Sequence, residues 1–293
     1  MKKSLKFSAL FLLILVLASC EDVVQVKLDE GSKLYVIDAF INDKAEIQTV
    51  AIHESDNYFS NREAPPVSTA SVVLKDLTAN TQFNFAYTSQ GKYTYDASTL
   101  TPVSGLDHLY ELNVTIGGVT YTSQCTQKRT AKIDSISVFY VDDSGGFGPS
   151  EPFYTCFLWA RDRVDQNADY YWIKTYRNDT LFGLPSDLNL AIDGTGGAVY
   201  DPNVDTLNFT PPSIYLGFST YKKGDVCKVE IHSITREAFN FLNQAVIQIQ
   251  NGGLFATTPE NVKTNIVTPS GAGTKAIGWF SMSKVNSKSR LVQ

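Results

Sequence analysis

The stretch of sequence that decides the fold runs from His108 to Ser123 and reads HLYELNVTIGGVTYTS. Apolar and polar residues alternate along it with a period of two, as they do when one face of a β-strand is buried. Gly117-Gly118 interrupts the alternation, and a two-residue glycine loop between two alternating segments is a strong signal for a β-hairpin. We therefore predict two antiparallel strands joined at these glycines.

The segments before the hairpin also have the composition of strands. They are rich in β-branched and aromatic residues, and turn residues such as Pro65-Pro66 separate them. Together with the hairpin they make about seven strands in roughly 100 residues, which is typical of a β-sandwich. We predict such a sandwich over residues 31–130. Its other strands are Lys33–Ile41, Ile47–His53, Ala70–Lys75, Gln82–Tyr87 and one that opens at Gly91.

Residues 131–293 predict a second β-rich domain that carries one amphipathic helix, so that the chain as a whole is mainly β. Apolar residues recur every three or four positions over 234–250, which indicates a helix with Ser233 as its N-cap and Gly252-Gly253 at its end. We expect the last strand, Ala276–Met282, to extend through Arg290–Val292. The remaining strands are Ile133–Val141, Phe153–Ala160, Tyr170–Tyr176, Ser213–Tyr221 and Asp225–Ser233.

The composition is that of a globular protein with one large or two medium domains. The chain has 293 residues, of which 43% are hydrophobic and 19% charged. Its formal net charge is −5, so the balance of charge does not indicate a nucleic-acid-binding surface.

The first residues predict a lipoprotein signal peptide over residues 1–19. A short basic segment precedes an apolar run that is too short to span a membrane, and Leu17-Ala18-Ser19-Cys20 follows it. A leucine and two small residues before a cysteine form a lipobox, so we expect signal cleavage and lipid attachment at Cys20. Residues 20–30 then form a lipidated tether, and several acyl chains on one cysteine anchor a protein stably.

Two acidic residues, Glu21 and Asp22, follow the expected lipidation site directly. Acidic residues at this position resemble the surface-export signal of Bacteroidota lipoproteins, which implies an outer-membrane protein that faces the cell exterior. The alternative is a solvated tether that carries no signal.

The other three cysteines, Cys125, Cys156 and Cys227, cannot all pair with one another because their number is odd. Either one disulfide forms and leaves one thiol, or all three are buried as small hydrophobic residues. No Cys-x-x-Cys spacing suggests a metal site.

No motif in the sequence predicts catalysis or a cofactor other than the lipid. A Gly-x-Ser-x-Gly elbow and a His-Glu-x-x-His pair are both missing, so we predict a protein that is not an enzyme. The stretch Asp165-x-Asn167-x-Asp169 resembles the start of a calcium loop, but it lacks the glycine and the later glutamate, which favours a solvated turn. We therefore predict no metal site.

Two further patterns give candidate site residues. Tyr170, Tyr171 and Trp172 are candidate ligand-facing aromatics, although adjacent residues of a strand point to opposite faces and core packing is the alternative. Three short segments, each an Asp followed by a hydroxyl residue and an apolar one, resemble the O-glycosylation sequon of Bacteroidota. They place the candidate modification sites at Ser135, Thr180 and Thr206.

Taken in order, the motifs resemble the family of Bacteroidota lipoproteins known as domain of unknown function 4249. The resemblance covers nearly the whole chain after Cys20, and the order of its motifs is more specific than any one of them. Two positions depart from the family pattern: Ser68-Thr69, where a glycine is usual, and Trp279, where a tyrosine is expected. The matching motifs include Leu34–Ile41, Ala70–Asp76, Ile133–Ile136, Asn167–Tyr171, Asn265-Ile266 and Gly278–Phe280.

This resemblance implies a role but no catalytic residues. Members of the family tend to accompany TonB-dependent outer-membrane receptors of the SusC type. The resemblance therefore implies an accessory lipoprotein in nutrient uptake, with a peptide or a glycan as ligand. It also implies that the N-terminal sandwich is of the transthyretin or carboxypeptidase-regulatory type. The alternatives are a stand-alone adhesion or glycan-binding module and, third, a hydrolase with a catalytic cluster that the sequence does not reveal.

Overall fold

A computed structural model describes residues 32–56, 60, 62–142, 152–161, 169–184, 187–192, 214–215, 220–250 and 262–293. These residues are mainly in β-strands, as the sequence predicted, and α1 is Arg236–Ile249. The strands of the N-terminal half are β1 Tyr35–Asn42, β2 Ile47–Glu54, β3 Ser71–Asp76, β4 Thr81–Ser89, β5 Lys92–Asp96, β6 Leu109–Ile116 and β7 Val119–Thr126. Those that follow are β8 Lys132–Val141, β9 Phe153–Arg161, β10 Tyr170–Arg177, β11 Thr180–Leu181, β12 Asn189–Ile192, β13 Ile214–Tyr215, β14 Val226–Ile234, β15 Ala276–Ser283 and β16 Val285–Leu291.

The predicted hairpin is confirmed. Strands β6 and β7 pair antiparallel over their whole length, and Ile116 lies opposite Val119. Gly117 and Gly118 have φ angles of 55° and 83°. Both loop residues therefore occupy the left-handed region that a tight two-residue hairpin loop requires and that glycine adopts without strain.

The strands of the N-terminal half belong to one eight-stranded sheet, in the order β15-β1-β2-β5-β4-β3-β6-β7. The predicted sandwich is not confirmed, because these strands form one continuous sheet. A register shift between Tyr87 and Ser89 interrupts the pairing of β4 with β5, and such irregularities let a sheet bend. The sheet curls until its edge strands approach, and Lys128, after β7, bridges to Ser283 of β15.

The interior of the curled sheet is the first hydrophobic core. Each strand contributes alternate side chains to it, including Ile37 of β1, Leu74 of β3, Phe85 of β4 and Leu112 of β6. Phe280 of β15 is fully buried in the same core. A segment near the C-terminus thus completes the core of the N-terminal sheet.

The end of the chain crosses between two sheets, and here the sequence-based expectation was wrong. Strand β15 pairs parallel with β1, whereas β16 pairs antiparallel with β14 in the second sheet. The expected single strand over 276–292 is therefore two strands that part at Lys284. The first sheet takes strands from both sides of the predicted boundary at 130/131, and Lys33–Gln293 forms one compact unit.

The second sheet has the order β11-β10-β14-β16, with β12 also paired to β10, and the third has the order β13-β9-β8. Side chains from both sheets form a second hydrophobic core, among them Ile133 of β8, Leu158 of β9, Tyr171 of β10 and Val229 of β14. Alternate residues of β10 and β14 point away from this core, towards α1 and the turn between β1 and β2.

The predicted helix is confirmed, but its start was placed too early. The N-cap is Thr235, whose side chain accepts a hydrogen bond of 3.2 Å from the Ala238 amide. Ser233 does not cap the helix because it still belongs to β14 and lies opposite Tyr171. Gly252-Gly253 lies outside the described residues. Among the described residues, no helix combines the length and the apolar character that crossing a membrane requires.

Candidate functional site

The described residues line an open groove of about 1480 Å³. It lies between the edge strand β7 and the first turns of α1, above the seam where β7 and β15 approach each other. A typical small-molecule pocket has roughly 300–1,000 Å³. The groove is therefore large enough for an extended ligand.

The floor of the groove is apolar. It contains Tyr170 at the start of β10, Ile234 at the end of β14, Phe241 of α1 and Trp279 of β15. The rings of Phe241 and Trp279 stack with their centroids 4.7 Å apart. Trp279 is only 5% exposed, so it supports the floor rather than offering a free ring face.

The rim of the groove is polar and its charges are nearly balanced. Arg129 donates hydrogen bonds of 2.8 and 2.6 Å to the Asp169 carboxylate. Lys128 lies 3.5 Å from Asp107. Arg236, Glu237 and Lys263 add two positive charges and one negative, and the rest of the rim includes the amides of Gln124, Asn240, Gln244 and Asn265. Such a rim favours a polar ligand of low net charge.

The wall formed by β7 presents an open strand edge. Thr122 exchanges two backbone hydrogen bonds with Val267, of 2.7 and 3.3 Å, on the side away from β6. In an antiparallel strand every second residue directs its backbone groups to the same side, so those of Gln124 and Thr126 also face away from β6. Among the described residues, neither amide N–H of these two has a hydrogen-bond acceptor on that side. The Thr126 carbonyl has a contact of 3.6 Å from the Cys125 thiol.

The opposite edge, that of β15, is closed by side chains. Asn265 accepts a hydrogen bond of 2.9 Å from the Phe280 amide and donates one of 2.7 Å to the Phe280 carbonyl. Thr264 donates to the Gly278 carbonyl at 2.8 Å. The groove therefore has one open strand edge, that of β7.

The structure separates the three candidate aromatic residues. Tyr170 lines the groove, whereas Tyr171 is fully buried in the second core on the opposite face of β10. Trp172 packs edge-on against Phe40, with ring centroids 5.3 Å apart, and also lies next to His232. Only Tyr170 of the three faces the groove, because side chains of a strand alternate between its two faces.

Beside the groove, a buried polar cluster joins the first sheet to the second. The Glu230 carboxylate accepts hydrogen bonds from Lys44 at 2.7 Å, Tyr176 at 2.9 Å and His232 at 3.1 Å. Burial alone raises the pKa of Glu230, but these donors outweigh it and hold the pKa well below its usual range. Burial lowers the pKa of His232 to about 4, so His232 is neutral at pH 7 and donates through Nε2.

Lys174 lies next to this cluster with its ammonium 4.1 Å from the centre of the Trp172 ring. Burial lowers its pKa to about 8. All members of the cluster lie outside the groove lining, and the three donors satisfy the Glu230 carboxylate. The cluster therefore has the character of a structural joint between two sheets.

None of the groove-lining residues that the structure describes is a histidine. His108 pairs instead with the buried Asp76 at 2.7 Å, His232 pairs with Glu230, and His53 approaches the Gln90 carbonyl at 3.1 Å. The part of the chain that the structure describes contains no group of three or more His, Cys, Asp or Glu side chains placed to hold a metal ion. Asp165 and Asn167 lie outside the described residues, and Asp169 pairs with Arg129.

The three cysteines that the structure describes, Cys125, Cys156 and Cys227, are buried free thiols. The Cys125 sulphur accepts a hydrogen bond of 3.3 Å from the Met282 amide, so it helps to hold β7 against β15. Burial raises the pKa of Cys125 to about 11. A thiol with this pKa is a poor nucleophile at neutral pH.

The structure describes two of the three candidate glycosylation sites. Thr180 is exposed after the tight turn at Asn178-Asp179, and Ser135 is exposed at a register shift in β8. Thr206, Cys20, Glu21 and Asp22 lie outside the described residues. Glycosylation, lipidation and export therefore stay predictions.

Two features of the groove were missed by sequence reasoning. The open edge of β7 depends on which strand ends the sheet, and that order is set by pairing between distant segments. Asn265 belongs to a recognisable Asn-Ile motif, but only its position beside β15 shows that its amide replaces a neighbouring strand.

The fold and the groove define a mainly β protein with a curled eight-stranded sheet and an open, polar-rimmed groove at the seam of that sheet. The chain belongs to the family described as domain of unknown function 4249, whose model matches residues 21–289. No curated protein matches the chain in sequence.

Proposed function

We propose that this chain is a non-enzymatic lipoprotein of the outer membrane, anchored through Cys20 and facing the cell exterior. It assists a SusC-type TonB-dependent receptor in nutrient uptake by capturing an extended peptide in the groove. The observation that carries the ligand assignment is the open edge of β7 inside the groove. The observations that support the anchor and the exterior location are the lipobox and the acidic pair Glu21-Asp22.

The open edge favours a peptide because it offers the hydrogen-bonding pattern of a neighbouring strand. The Gln124 and Thr126 amides face the groove, and a strand added there pairs with them through its own backbone. Alternate side chains of that strand point to the apolar floor around Tyr170 and Phe241, and the others point to solvent. Backbone pairing is largely independent of sequence, which suits a protein that collects mixed peptides.

The chemistry of the lining supports binding rather than catalysis. The three histidines of the chain make their contacts away from the groove, and Cys125 at its floor is a protonated, buried thiol. General acid–base or nucleophilic catalysis needs an activated group within reach of the ligand.

A second candidate function is a stand-alone adhesion or glycan-binding module. It is favoured by the amide side chains of Gln124, Asn240, Gln244 and Asn265 on the rim, because amides can pair with sugar hydroxyl groups. The burial of Trp279 counts against this function. Sugar rings stack on exposed aromatic rings, whereas the Trp279 ring is stacked on Phe241.

The test is retention of labelled oligopeptides by outer-membrane vesicles that carry the full chain. Thr126→Pro removes an N–H that faces the groove, and proline is tolerated on edge strands. Asn240→Arg fills the rim from an exposed position of α1, and Asn243→Arg is its matched control on the same helix outside the lining. We expect Thr126→Pro and Asn240→Arg to lower peptide retention about tenfold or more, equivalent to about 1.4 kcal/mol, and Asn243→Arg to leave it unchanged.

Retention of peptide by Thr126→Pro at the level of the unmodified chain would contradict strand addition. Binding of oligosaccharides that is lost in Asn240→Arg but kept in Thr126→Pro would support the glycan-binding alternative instead.

A further inference from the structure

The second hydrophobic core contains two cysteines from different sheets. Cys156 lies on β9 in the third sheet and Cys227 on β14 in the second, and both are fully buried. Both belong to the same hydrophobic cluster, which the packing of these two sheets creates. Their side chains therefore enter the same core from two different sheets.

The backbone around the two cysteines fixes their proximity. Tyr221 exchanges two backbone hydrogen bonds of 2.9 Å with Tyr154, which precedes Cys156 by two residues on the same face of β9. The turn at Lys222–Asp225 then leads from Tyr221 into β14, where Cys227 is the second residue. The segment from Tyr221 to Cys227 is therefore short, and its first residue is hydrogen-bonded to the strand that carries Cys156.

The side chains agree with this placement. Interaction with the Cys227 side chain raises the pKa of Cys156, as burial does too. The same interaction lowers the pKa of Cys227, and the Tyr221 hydroxyl adds to this effect. These opposite shifts agree with two side chains that enter the same core from different sheets.

We propose that Cys156 and Cys227 form a disulfide in the mature, exported protein and that Cys125 stays a free thiol. This inference rests on the export proposed above, because disulfides form and persist in compartments outside the cytoplasm. The cross-link joins β9 to β14 and closes residues 157–226 into a loop. Closing a loop of this length restricts the unfolded chain and so stabilises the folded one.

The oxidation requires a disulfide as the electron acceptor, here called the donor because it passes its disulfide bond to the chain. This donor is either a thiol–disulfide oxidase or a small disulfide such as oxidised glutathione. The thiolate of one of the two cysteines attacks the donor and releases one donor thiol. The thiolate of the other cysteine then attacks the mixed disulfide and releases the second. The two cysteines lose two protons and two electrons, and the donor becomes two thiols. Because both sulphurs are fully buried in the folded protein, the exchange takes place before the second core closes.

The direct test is differential alkylation of the full chain taken from outer membranes. Iodoacetamide is added in denaturant without reductant, then dithiothreitol, then N-ethylmaleimide, and the digest is read by mass spectrometry. We expect Cys125 to carry the first label, and Cys156 and Cys227 the second. The unreduced digest should contain a peptide pair joined through these two residues. The first label on all three cysteines, or a bond that includes Cys125, would overturn the proposal.

A second measurement uses Cys125→Ala as the matched control. We expect the unmodified chain and Cys125→Ala to lose more than about 5 °C in thermal midpoint when both are refolded with reductant. The double variant Cys156→Ala/Cys227→Ala should not respond to reductant. If the double variant does not fold, labelling of the unmodified chain and of Cys125→Ala still decides the question. Equal midpoints of the unmodified chain with and without reductant would also count against the bond.

Discussion

Asn265 makes both hydrogen bonds to Phe280 that a neighbouring strand would make. Its side-chain oxygen accepts from the Phe280 amide at 2.9 Å, and its side-chain nitrogen donates to the Phe280 carbonyl at 2.7 Å. One amide side chain thus closes the edge of β15, while β7 across the seam keeps its edge open. This asymmetry gives the groove a single surface for strand addition.

Replacing Asn265 by alanine should open the second edge. We expect Asn265→Ala to lower the free energy of unfolding by about 1–3 kcal/mol, because the Phe280 backbone loses both partners. An unpaired edge also promotes pairing between chains, so self-association should rise with concentration. Urea unfolding and analytical ultracentrifugation measure the two effects. Asn265→Asp keeps the hydrogen-bond acceptor, so its free energy of unfolding should lie between those of Asn265→Ala and the unmodified chain. If Asn265→Ala is as stable as the unmodified chain, the Asn265 amide does not have this role.

Gly278 lies opposite Ile37 where β15 pairs with β1. Its φ angle is +109°, and a Cβ placed there would collide with the Ile37 carbonyl. We expect Gly278→Ala to lower the free energy of unfolding by about 2 kcal/mol or more, since backbone strain and the collision add. Gly273→Ala is the matched control, because a Cβ at Gly273 would meet nothing within 4 Å. Equal unfolding midpoints of the two variants would show that the close contact between Gly278 and the Ile37 backbone is not needed for stability.

The buried His232 should make stability depend on pH. Burial lowers the pKa of this histidine in the folded protein from an ordinary value of 6.5 to about 4. Below pH 6.5 the unfolded chain therefore binds a proton that the folded chain does not, and stability falls as the pH drops from 6.5 to about 4. The loss from this one group is about 3 kcal/mol. Glu230 affects stability at lower pH. Because its pKa is lowered in the folded protein, its contribution to the free energy of unfolding is present above about pH 4.5 and is lost as the pH falls below that value.

Urea unfolding at pH 7, 5.5 and 4.5 measures this dependence. His232→Gln keeps an N–H donor for Glu230 but cannot titrate, so its stability should change less over this window than that of the unmodified chain. Ser289→Ala, at an exposed position of β16, is the control and should keep the full dependence. A pH profile of His232→Gln that matches the profile of the unmodified chain would assign the effect to other groups.

Ser233 is hydrogen-bonded to Lys284, the residue at which the chain crosses from the first sheet to the second. Its hydroxyl donates to the Lys128 carbonyl at 2.6 Å and accepts from the Lys284 amide at 2.9 Å. Ser233→Ala leaves both backbone groups without this partner, and we expect a loss of about 1–3 kcal/mol in the free energy of unfolding. Ser289→Ala, at an exposed position of β16, should change it by less than about 0.5 kcal/mol. Similar losses in the two variants would mean that Ser233 does not secure the crossing.

Local patterns predicted local structure well. The alternation around Gly117-Gly118 gave the β6–β7 hairpin because both strands and their turn lie in one continuous segment. The period of the helix was equally clear, but its start was misplaced, since Ser233 and Thr235 are both good capping residues. Only the pairing of Ser233 with Tyr171 shows that β14 continues past it.

Pairing between distant segments was not predictable from one sequence. Residues 276–292 have the composition of one strand, yet Lys284 divides them between two sheets. The choice depends on β1 and β14, which lie far away along the chain. The groove depends on the same pairing, because β7 has an open edge only as the last strand of its sheet.

The central claim, that this chain serves a TonB-dependent receptor from the cell surface, is tested most directly by gentle detergent extraction of native outer membranes. A tagged full chain is captured, and the proteins that accompany it are identified and quantified by mass spectrometry, with Cys20→Ala as the unanchored control. We expect a TonB-dependent receptor in stoichiometric amount with the anchored chain and its loss with Cys20→Ala. Recovery of the anchored chain alone would contradict the claim.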